Sequence, residues 1–394
     1  MSHLPRTGFA ALILAACHTS PPAPANRPIP IAPAESLGFD STRLAAVGTF
    51  VASQVDSAYP GAVVAVGRHG RLALLSAAGH YGTDDPRTVD PATIYDLASL
   101  TKVIGLTTAC MILVDEGKLD LDAPVQRYLP EFRGPMKEQV TIRHLLTHSS
   151  GAHWWRPLFR EATSRTAALA LVDTTPLDTL PGARFVYSDL GAIVLMQVVE
   201  RITRERLDRY LAARVFEPLG MTATRYLPPR DWRDRIAPTE IDTVFRHRLI
   251  RGEVHDENAG RMGGVSGHAG LFSNAPDLAR FADWLLATRS AGSMQPALRA
   301  GTVQLFTTRQ GIPAGSTRAL GWDTPSDSGY SSAGTLLSRH SFGHTGFTGT
   351  SIWMDPERDL FVILLTNRVN PTRANTKILQ VRATVADLVA QAVR

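Results

Sequence analysis

The sequence is short of several things. Cysteine occurs twice in 394 residues, as Cys17 and Cys110, so no disulfide framework staples the fold. Lysine occurs four times, as Lys102, Lys118, Lys137 and Lys377, while arginine supplies the other 37 of the 41 basic residues. Past the N-terminus no segment approaches the roughly 20 apolar residues that a membrane-spanning helix needs. Clustered charge is missing too. The 41 basic and 36 acidic residues leave a formal charge of +5, with no Lys/Arg run and no basic stripe interleaved with aromatics. The basic balance therefore does not point to a nucleic-acid partner. No internal repeat is visible.

What is present is an ordinary globular composition, 44% hydrophobic and 20% charged, over a length sufficient for two sub-domains and a large core. The chain opens "MSHLPRTGFAALILAACHTS". Arg6, a short apolar run over residues 9–16 and then "LAAC" make residues 1–17 a signal peptide, and Cys17 sits as in the lipobox that bacterial lipoproteins carry. Lipidation at Cys17 is the expectation, with ordinary cleavage nearby as the alternative. Residues 18–37 hold six prolines and no apolar period, which suits a semi-extended tether holding the folded part off a membrane. Cys110, within "LTTACMILV", reads as a buried free thiol.

The folded part begins near residue 38. Asp40 or Ser41 can cap a first helix, and "GAVVAVGRHGRLALLSAAGHYG" reads as two strands around His69-Gly70. From residue 99 the pattern turns helical, through "SLTKVIGLTTACMILVDEGKL", "VTIRHLLTHSSG" and "SDLGAIVLMQVVERITRERLDRYLAARVF" to "NAPDLARFADWLLATRS". The end returns to strands, with "FGHTGFTGTSIWMD" and "DLFVILLTN" as a hairpin around residues 356–358, and closes on a helix. The expectation is an α+β fold: an antiparallel sheet from about 38–105 and 295–394, flanked by the terminal helices. An all-helical sub-domain of about 106–294 is inserted, with a small-molecule crevice between the parts.

Three elements could carry chemistry. Ser99 precedes Lys102 by one helical turn at a predicted helix start, so the ammonium projects beside the hydroxyl where the helix dipole favours developing negative charge. Serine needs a base, and a desolvated lysine near other cations can have its pKa lowered enough to serve, which arginine cannot. Taken alone, the pair reads equally as a serine near a solvated lysine. In "PGARFVYSDLG", Tyr187 stands at a loop-to-helix junction, where its hydroxyl could shuttle a proton; the alternative is a packed tyrosine with Ser188 or Asp189 as a helix cap. In "SFGHTGFTG", His344 and Thr345 offer donors to a substrate carboxylate, and Gly346 suits close approach of a ligand. The Phe347 N–H could complete an oxyanion hole with that of Ser99. The alternative is an ordinary strand histidine.

In this order the three elements resemble the S-x-x-K, Y-x-N and [KH]-[TS]-G motifs of the serine β-lactamase and penicillin-binding protein superfamily, closest to its tyrosine-bearing branch. "TIRHLLTHSSG", "GGVSGHAGLFSNAPDLARFADWLL" and "TGFTGTSIWMDPERDLFVILLTN" carry the likeness from about residue 38 to the end. The resemblance implies a β-lactamase/transpeptidase-like fold and a Ser99 acyl-enzyme that water hydrolyses. It gives Lys102 and Tyr187 acid-base duty, places His344, Thr345 and Gly346 opposite Ser99, and assigns the oxyanion hole to the N–H groups of Ser99 and Phe347. It calls for no cofactor and no metal. It implies an exported enzyme, lipid-anchored on the periplasmic face of a bacterial membrane, acting as a monomer on D-alanyl peptides, with a broad esterase, a β-lactamase or a non-catalytic cell-wall sensor as alternatives.

Two positions depart from the pattern. Asp189 stands where the β-lactamases carry asparagine, and an ionised carboxylate accepts but cannot donate to a substrate amide. His344 stands where many carry lysine, and its charge near neutrality is conditional. Both lead away from a dedicated β-lactamase. "RGEVHDENAGRMGGVSGHAG" brings His255, Asp256, Glu257 and His268 close in sequence, but at no recognisable zinc spacing; it resembles the "HDENA" segment of some low-molecular-weight penicillin-binding proteins and reads as a loop at the cleft. Trp154-Trp155 reads as packing, with an aromatic rim for substrate as the other possibility.

Overall fold

The computed structural model describes residues 29–291 and 297–394. The signal segment, Cys17 and the first part of the tether lie outside the described residues. Six strands form one sheet: β1 (Gly61–Arg68), β2 (Arg71–Gly82), β3 (Asp85–Thr88), β4 (Phe342–Thr345), β5 (Ser351–Asp355) and β6 (Leu360–Thr366), in the order β3-β2-β1-β6-β5-β4 with antiparallel neighbours. Chain start and chain end thus meet at the β1–β6 pair, where Val64 faces Leu364.

The period of two along these strands decides what covers them. Ala62, Val64, Val66, Val362 and Leu364 pack with residues of helices α1 (Ser41–Ser53) and α7 (Ile378–Ala392). Val63, Ala65, Ile363 and Leu365 point the other way, into the main core. Both faces are covered, which is why "GAVVAVG" and "LFVILLT" read as unbroken apolar runs, each Val, Ile or Leu side chain contributing about 1.5–3 kcal/mol by leaving water. Asp40 starts α1 by accepting from the Arg43 N–H at 3.0 Å, and the α7 stripe Val381, Val385, Val389 faces α1 and the sheet.

The inserted part holds α2 (Thr108–Asp115), α3 (Ile142–Leu146), α4 (Asp189–Thr203) and α5 (Glu257–Arg261). Short strands that periodicity could not reveal lie in and beside it: Tyr95–Asp96, Leu271–Ser273 and Arg225–Tyr226 form a three-stranded patch, and Ile241–Asp242 pairs with Arg248–Leu249. Two or three residues are too few to show an alternation. Helix α6 (Ala275–Ala291) packs on β1 and β6 and so belongs with the sheet, although the sequence reading had grouped it with the helical insert. The stretch "FGHTGFTGTSIWMD", expected as one strand of a hairpin, is two strands, β4 and β5, joined by a turn in which Gly349 has φ +113°. That turn brings residues 346–347 to the sheet's edge beside Ser99. No helix among the described residues is long and apolar enough to cross a membrane.

Candidate active site

Ser99 stands on a tight turn just before a helix. Ala98 takes the left-handed conformation at φ +45°, a strained choice for a residue with a side chain. The buried Asp96 compensates: one carboxylate oxygen accepts from the Ala98 N–H at 2.8 Å and the other from the His255 N–H at 2.6 Å. The Thr101 hydroxyl accepts from Leu271 N–H, tying the turn to the neighbouring short strand. The helix continues as a wide π-type turn over Lys102–Thr107 before α2, a form common at functional sites. Neither the Ser99 N–H nor the Phe347 N–H bonds to another group among the described residues, leaving both free as oxyanion donors.

Lys102 is buried, with 3% of its surface exposed. Its Nζ lies 3.0 Å from Ser99 Oγ, 3.1 Å from the His268 carbonyl and 2.7 Å from the Asp189 carboxylate. Two of the ammonium's three N–H donors are hydrogen-bonded, to Ser99 Oγ and the His268 carbonyl, while Asp189 Oδ1 faces it as an ion pair without an aligned hydrogen bond. Burial by itself lowers the Lys102 pKa, but Asp189 and Tyr187 outweigh it and hold it above the ordinary lysine value. The expectation of a lysine poised to lose its proton beside other cations is corrected: the charge nearest Lys102 is a carboxylate, and the resting group is an ammonium.

Tyr187 and Asp189 come from the start of α4. Ser188 is the cap, its hydroxyl accepting from Gly191 N–H at 3.0 Å and donating to the His153 carbonyl. Asp189 N–H donates to the Trp154 carbonyl. The Lys102 ammonium lies 4.8 Å above the Tyr187 ring centre. Behind that ring sits His148, 4.6 Å away, with its Nδ1 accepting from Ser188 N–H. Burial, with Arg318 and Lys102 nearby, holds the His148 imidazole neutral, well below its ordinary pKa.

His344 and Thr345 end the edge strand β4, and Gly346 follows. A side chain at Gly346 would meet the Leu97 carbonyl at 2.3 Å and Thr350 Oγ1 at 2.1 Å, so glycine is what lets this edge approach the Ser99 turn. His344 is corrected in one respect. Burial, with Arg318 and Lys102 adding to it, keeps it neutral, well below the usual histidine pKa. Its Nδ1 is bonded to the Thr345 carbonyl at 2.8 Å. A carbonyl only accepts, so Nδ1 carries the proton and the other ring nitrogen of the neutral imidazole is an acceptor. His344 therefore offers no donor to a carboxylate. Donors lie elsewhere in the cleft, a hollow of about 510 Å³ lined by Ser99, Tyr187 and Thr345 and also by Arg318, Arg368 and Arg382.

Sequence reasoning left the arginines and the HDEN loop without roles. Each side chain of that loop is fastened to a different neighbour. His255 stacks on the Phe347 ring at 5.7 Å and bonds Glu240 at 2.8 Å. Glu257 pairs with Arg373 at 2.7 Å, and Asn258 bonds both Phe159 N–H and the Arg156 carbonyl. Asp256 bonds His268. Asp189, Asp256 and His268 offer atoms within 4.8 Å of one another; of the two carboxylates, Asp189 pairs with Lys102 and Asp256 with His268. Trp154 is 58% exposed and stacks on the half-buried Trp155 at 5.7 Å, so only Trp155 fits the packing reading. Cys110 is buried and free. Arginines 318 and 382 could not have been singled out in an arginine-rich chain. The HDEN run could have been, as four polar residues in a row between apolar segments.

A family profile described as Beta-lactamase matches residues 46–386. A relative from Salmonella agona (strain SL483), provisionally named a D-alanyl-D-alanine carboxypeptidase, is 33% identical over 380 residues that cover 87% of each chain. A penicillin-binding protein homolog from Caulobacter crescentus has a similar fold, with a TM-score of 0.69 at 20% identity over 88% of this chain and 97% of that one. So does a class C β-lactamase from Rhodobacter sphaeroides, with a TM-score of 0.68 at 22% identity over 90% of this chain and 100% of that one.

Proposed function

The chain belongs to the β-lactamase family and is a serine hydrolase, and on that premise we propose that it is a D-alanyl-peptide carboxypeptidase of the penicillin-binding type, acting as a monomer. The observation that carries this reading is the cationic end of the cleft. Arg318 and Arg382 are each about 6% exposed; Arg318 pairs with Asp323 at 3.1 Å and Arg382 donates to the Gly346 and Thr350 carbonyls, and each keeps a buried Nε–H without a partner. Burial pushes the Arg382 guanidinium down to about 10 and lowers that of Arg368. A substrate carboxylate seated there would restore the solvation these groups have lost. The leaving group of a D-alanyl-D-alanine peptide carries such a carboxylate; a simple ester does not.

In this reading Tyr187 reacts as the phenolate, which the Lys102 ammonium stabilises; Ser99 Oγ attacks the penultimate D-alanine carbonyl as its proton passes to the Tyr187 oxygen, leaving a neutral phenol. The oxyanion is met by the Ser99 and Phe347 N–H groups. The proton returns to the departing nitrogen, releasing D-alanine, and water then cleaves the Ser99 ester by the same route in reverse.

The test compares a peptide ending in D-Ala-D-Ala with the same peptide capped as the C-terminal amide. The free acid is expected to be favoured in kcat/KM by about 100-fold, as for a site whose buried polar groups lose their partner. Arg382→Leu should erase most of that preference, with Ser99→Ala as the blank. Equal rates on acid and amide in the wild-type enzyme would sink the reading in favour of an esterase.

Export and anchoring are part of the proposal and rest on the sequence alone: "LAAC" before Cys17 and the proline-rich tether. Expressed from the full gene in a bacterium, the protein is expected in the detergent phase of a membrane extraction, and Cys17→Ala in the aqueous phase. Wild-type protein found only in the aqueous phase would remove the anchor from the proposal.

A further inference from the structure

We propose that Asp256 and His268 form a positioning unit that fixes the reacting geometry of Lys102. The inference rests on the reading of Ser99 and Lys102 as the reacting pair. Lys102 aims one N–H at Ser99, and the direction of that bond is set by its two other contacts, an ion pair and a hydrogen bond. One anchor is the Asp189 carboxylate. The other is the backbone carbonyl of His268 at 3.1 Å, on a loop that turns through Gly263, Gly264 and Gly270 at φ +81°, +80° and +122°, conformations that suit glycine, and that is tied at its start by the Gly264 N–H to the Ala259 carbonyl and the Tyr226 hydroxyl to the Ser266 carbonyl.

The His268 side chain adds stiffness where the loop meets Lys102. It is 1% exposed, with Nδ1 2.7 Å from Ser266 Oγ and Nε2 2.9 Å from Asp256 Oδ1. Gly267 presses the same loop onto α4, where a side chain would meet the Ala192 carbonyl at 2.5 Å. Asp256 in turn is fixed at the start of α5 by accepting from Ala259 N–H at 2.7 Å. Burial opposes its charge, but His268 and the Ala259 N–H outweigh burial and keep the carboxyl well below the usual range. A firm acceptor thus holds the ring, the ring holds the loop, and the loop carbonyl holds Lys102. Asp256 touches no reacting atom.

The bland account is that Asp256 merely caps α5, and two substitutions separate the accounts. Asp256→Ser keeps a good cap but is too short to hold His268; Asp256→Asn keeps both the cap and the acceptor. Turnover of p-nitrophenyl acetate, which reports on Ser99 whatever the natural substrate, is followed with Tm. The expectation is a fall in kcat of about 100-fold for Asp256→Ser, the scale of a reacting group misplaced by about 1 Å, with KM and Tm near wild type. Asp256→Asn should recover most of the rate. A folded Asp256→Ser enzyme with wild-type kcat, or one whose loss lies in KM, overturns the proposal. If Asp256→Ser does not fold, His268→Gln decides: the same loss in kcat upholds the unit, and an unchanged kcat overturns it. A failure of the D-alanyl reading would leave these ester rates as they are, so the two cannot be confused.

Discussion

Lys102→Arg is expected to slow acylation of Ser99 by about 10³- to 10⁴-fold, the range of a lost acid-base group, and so to approach the complete loss expected of Ser99→Ala. The substitution keeps the charge, so charge alone cannot be what position 102 requires. Around one nitrogen, Lys102 meets Ser99 Oγ at 3.0 Å, Asp189 at 2.7 Å and the His268 carbonyl at 3.1 Å. Two of these are hydrogen bonds and the third is an ion pair, all converging on one compact ammonium. A guanidinium spreads five donors in a plane and cannot put one nitrogen at that point, least of all in a pocket that leaves the side chain 4% exposed. Nor can it pass a proton on.

The pH dependence checks the same account. If Lys102 had to lose its proton before Ser99 could react, kcat/KM would climb about tenfold per pH unit towards a pKa that Asp189 and Tyr187 hold above the ordinary lysine value. With Lys102 acting as an ammonium held above the ordinary lysine value, kcat/KM is expected to be nearly flat from about pH 7 to 9. An intact-mass assay of Ser99 acylation by benzylpenicillin, with Ser99→Ala as blank, reads both experiments. An active Lys102→Arg enzyme would overturn the geometric account outright.

The candidate site residues were legible because each announces itself locally. Ser99 and Lys102 are one helical turn apart, Tyr187 sits where a turn meets a helix start, and His344-Thr345-Gly346 ends a strand. The sheet was legible for a similar reason, since strands buried on both faces are apolar throughout. What could not be read is whatever depends on distant parts of the chain meeting. Asp96 holds the nucleophile turn through a bond to His255, 159 residues on. Arg382 supports Gly346 through its carbonyl from 36 residues away, and nothing in its local sequence distinguishes it from the other arginines. The state of Lys102 was misjudged on the same ground: burial was foreseeable from its apolar flanks, but the carboxylate that reverses its effect comes from α4. His344 shows the converse, with a tautomer fixed by the carbonyl of its own neighbour, a detail of backbone direction that sequence does not carry.

Asp189→Asn is expected to shift the enzyme towards β-lactams. In the wild-type site the Asp189 carboxylate is engaged with Lys102 and can only accept, so a penicillin side-chain amide finds no donor there. Asparagine would supply one. It would also take away the charge that anchors Lys102, and that loss slows every substrate. The two effects are separated by a ratio. The lost anchor lowers penicillin acylation and p-nitrophenyl acetate turnover alike, whereas the new donor serves only the substrate with the amide. A hydrogen bond gained to a polar group otherwise left unpaired is worth about 1–2 kcal/mol, so the rate of benzylpenicillin acylation relative to ester turnover should rise by about tenfold or more. With its carboxylate partner gone, burial acts on Lys102 unopposed by Asp189, and its pKa should fall. The alkaline limb of the pH–rate profile, where the Lys102 ammonium is lost, should then move down into the range where the wild-type profile is flat. An unchanged ratio in a folded Asp189→Asn enzyme would mean that Asp189 does not set β-lactam handling, and the exclusion would pass to the aromatic walls of the cleft at Phe185 and Phe347, both of which line it.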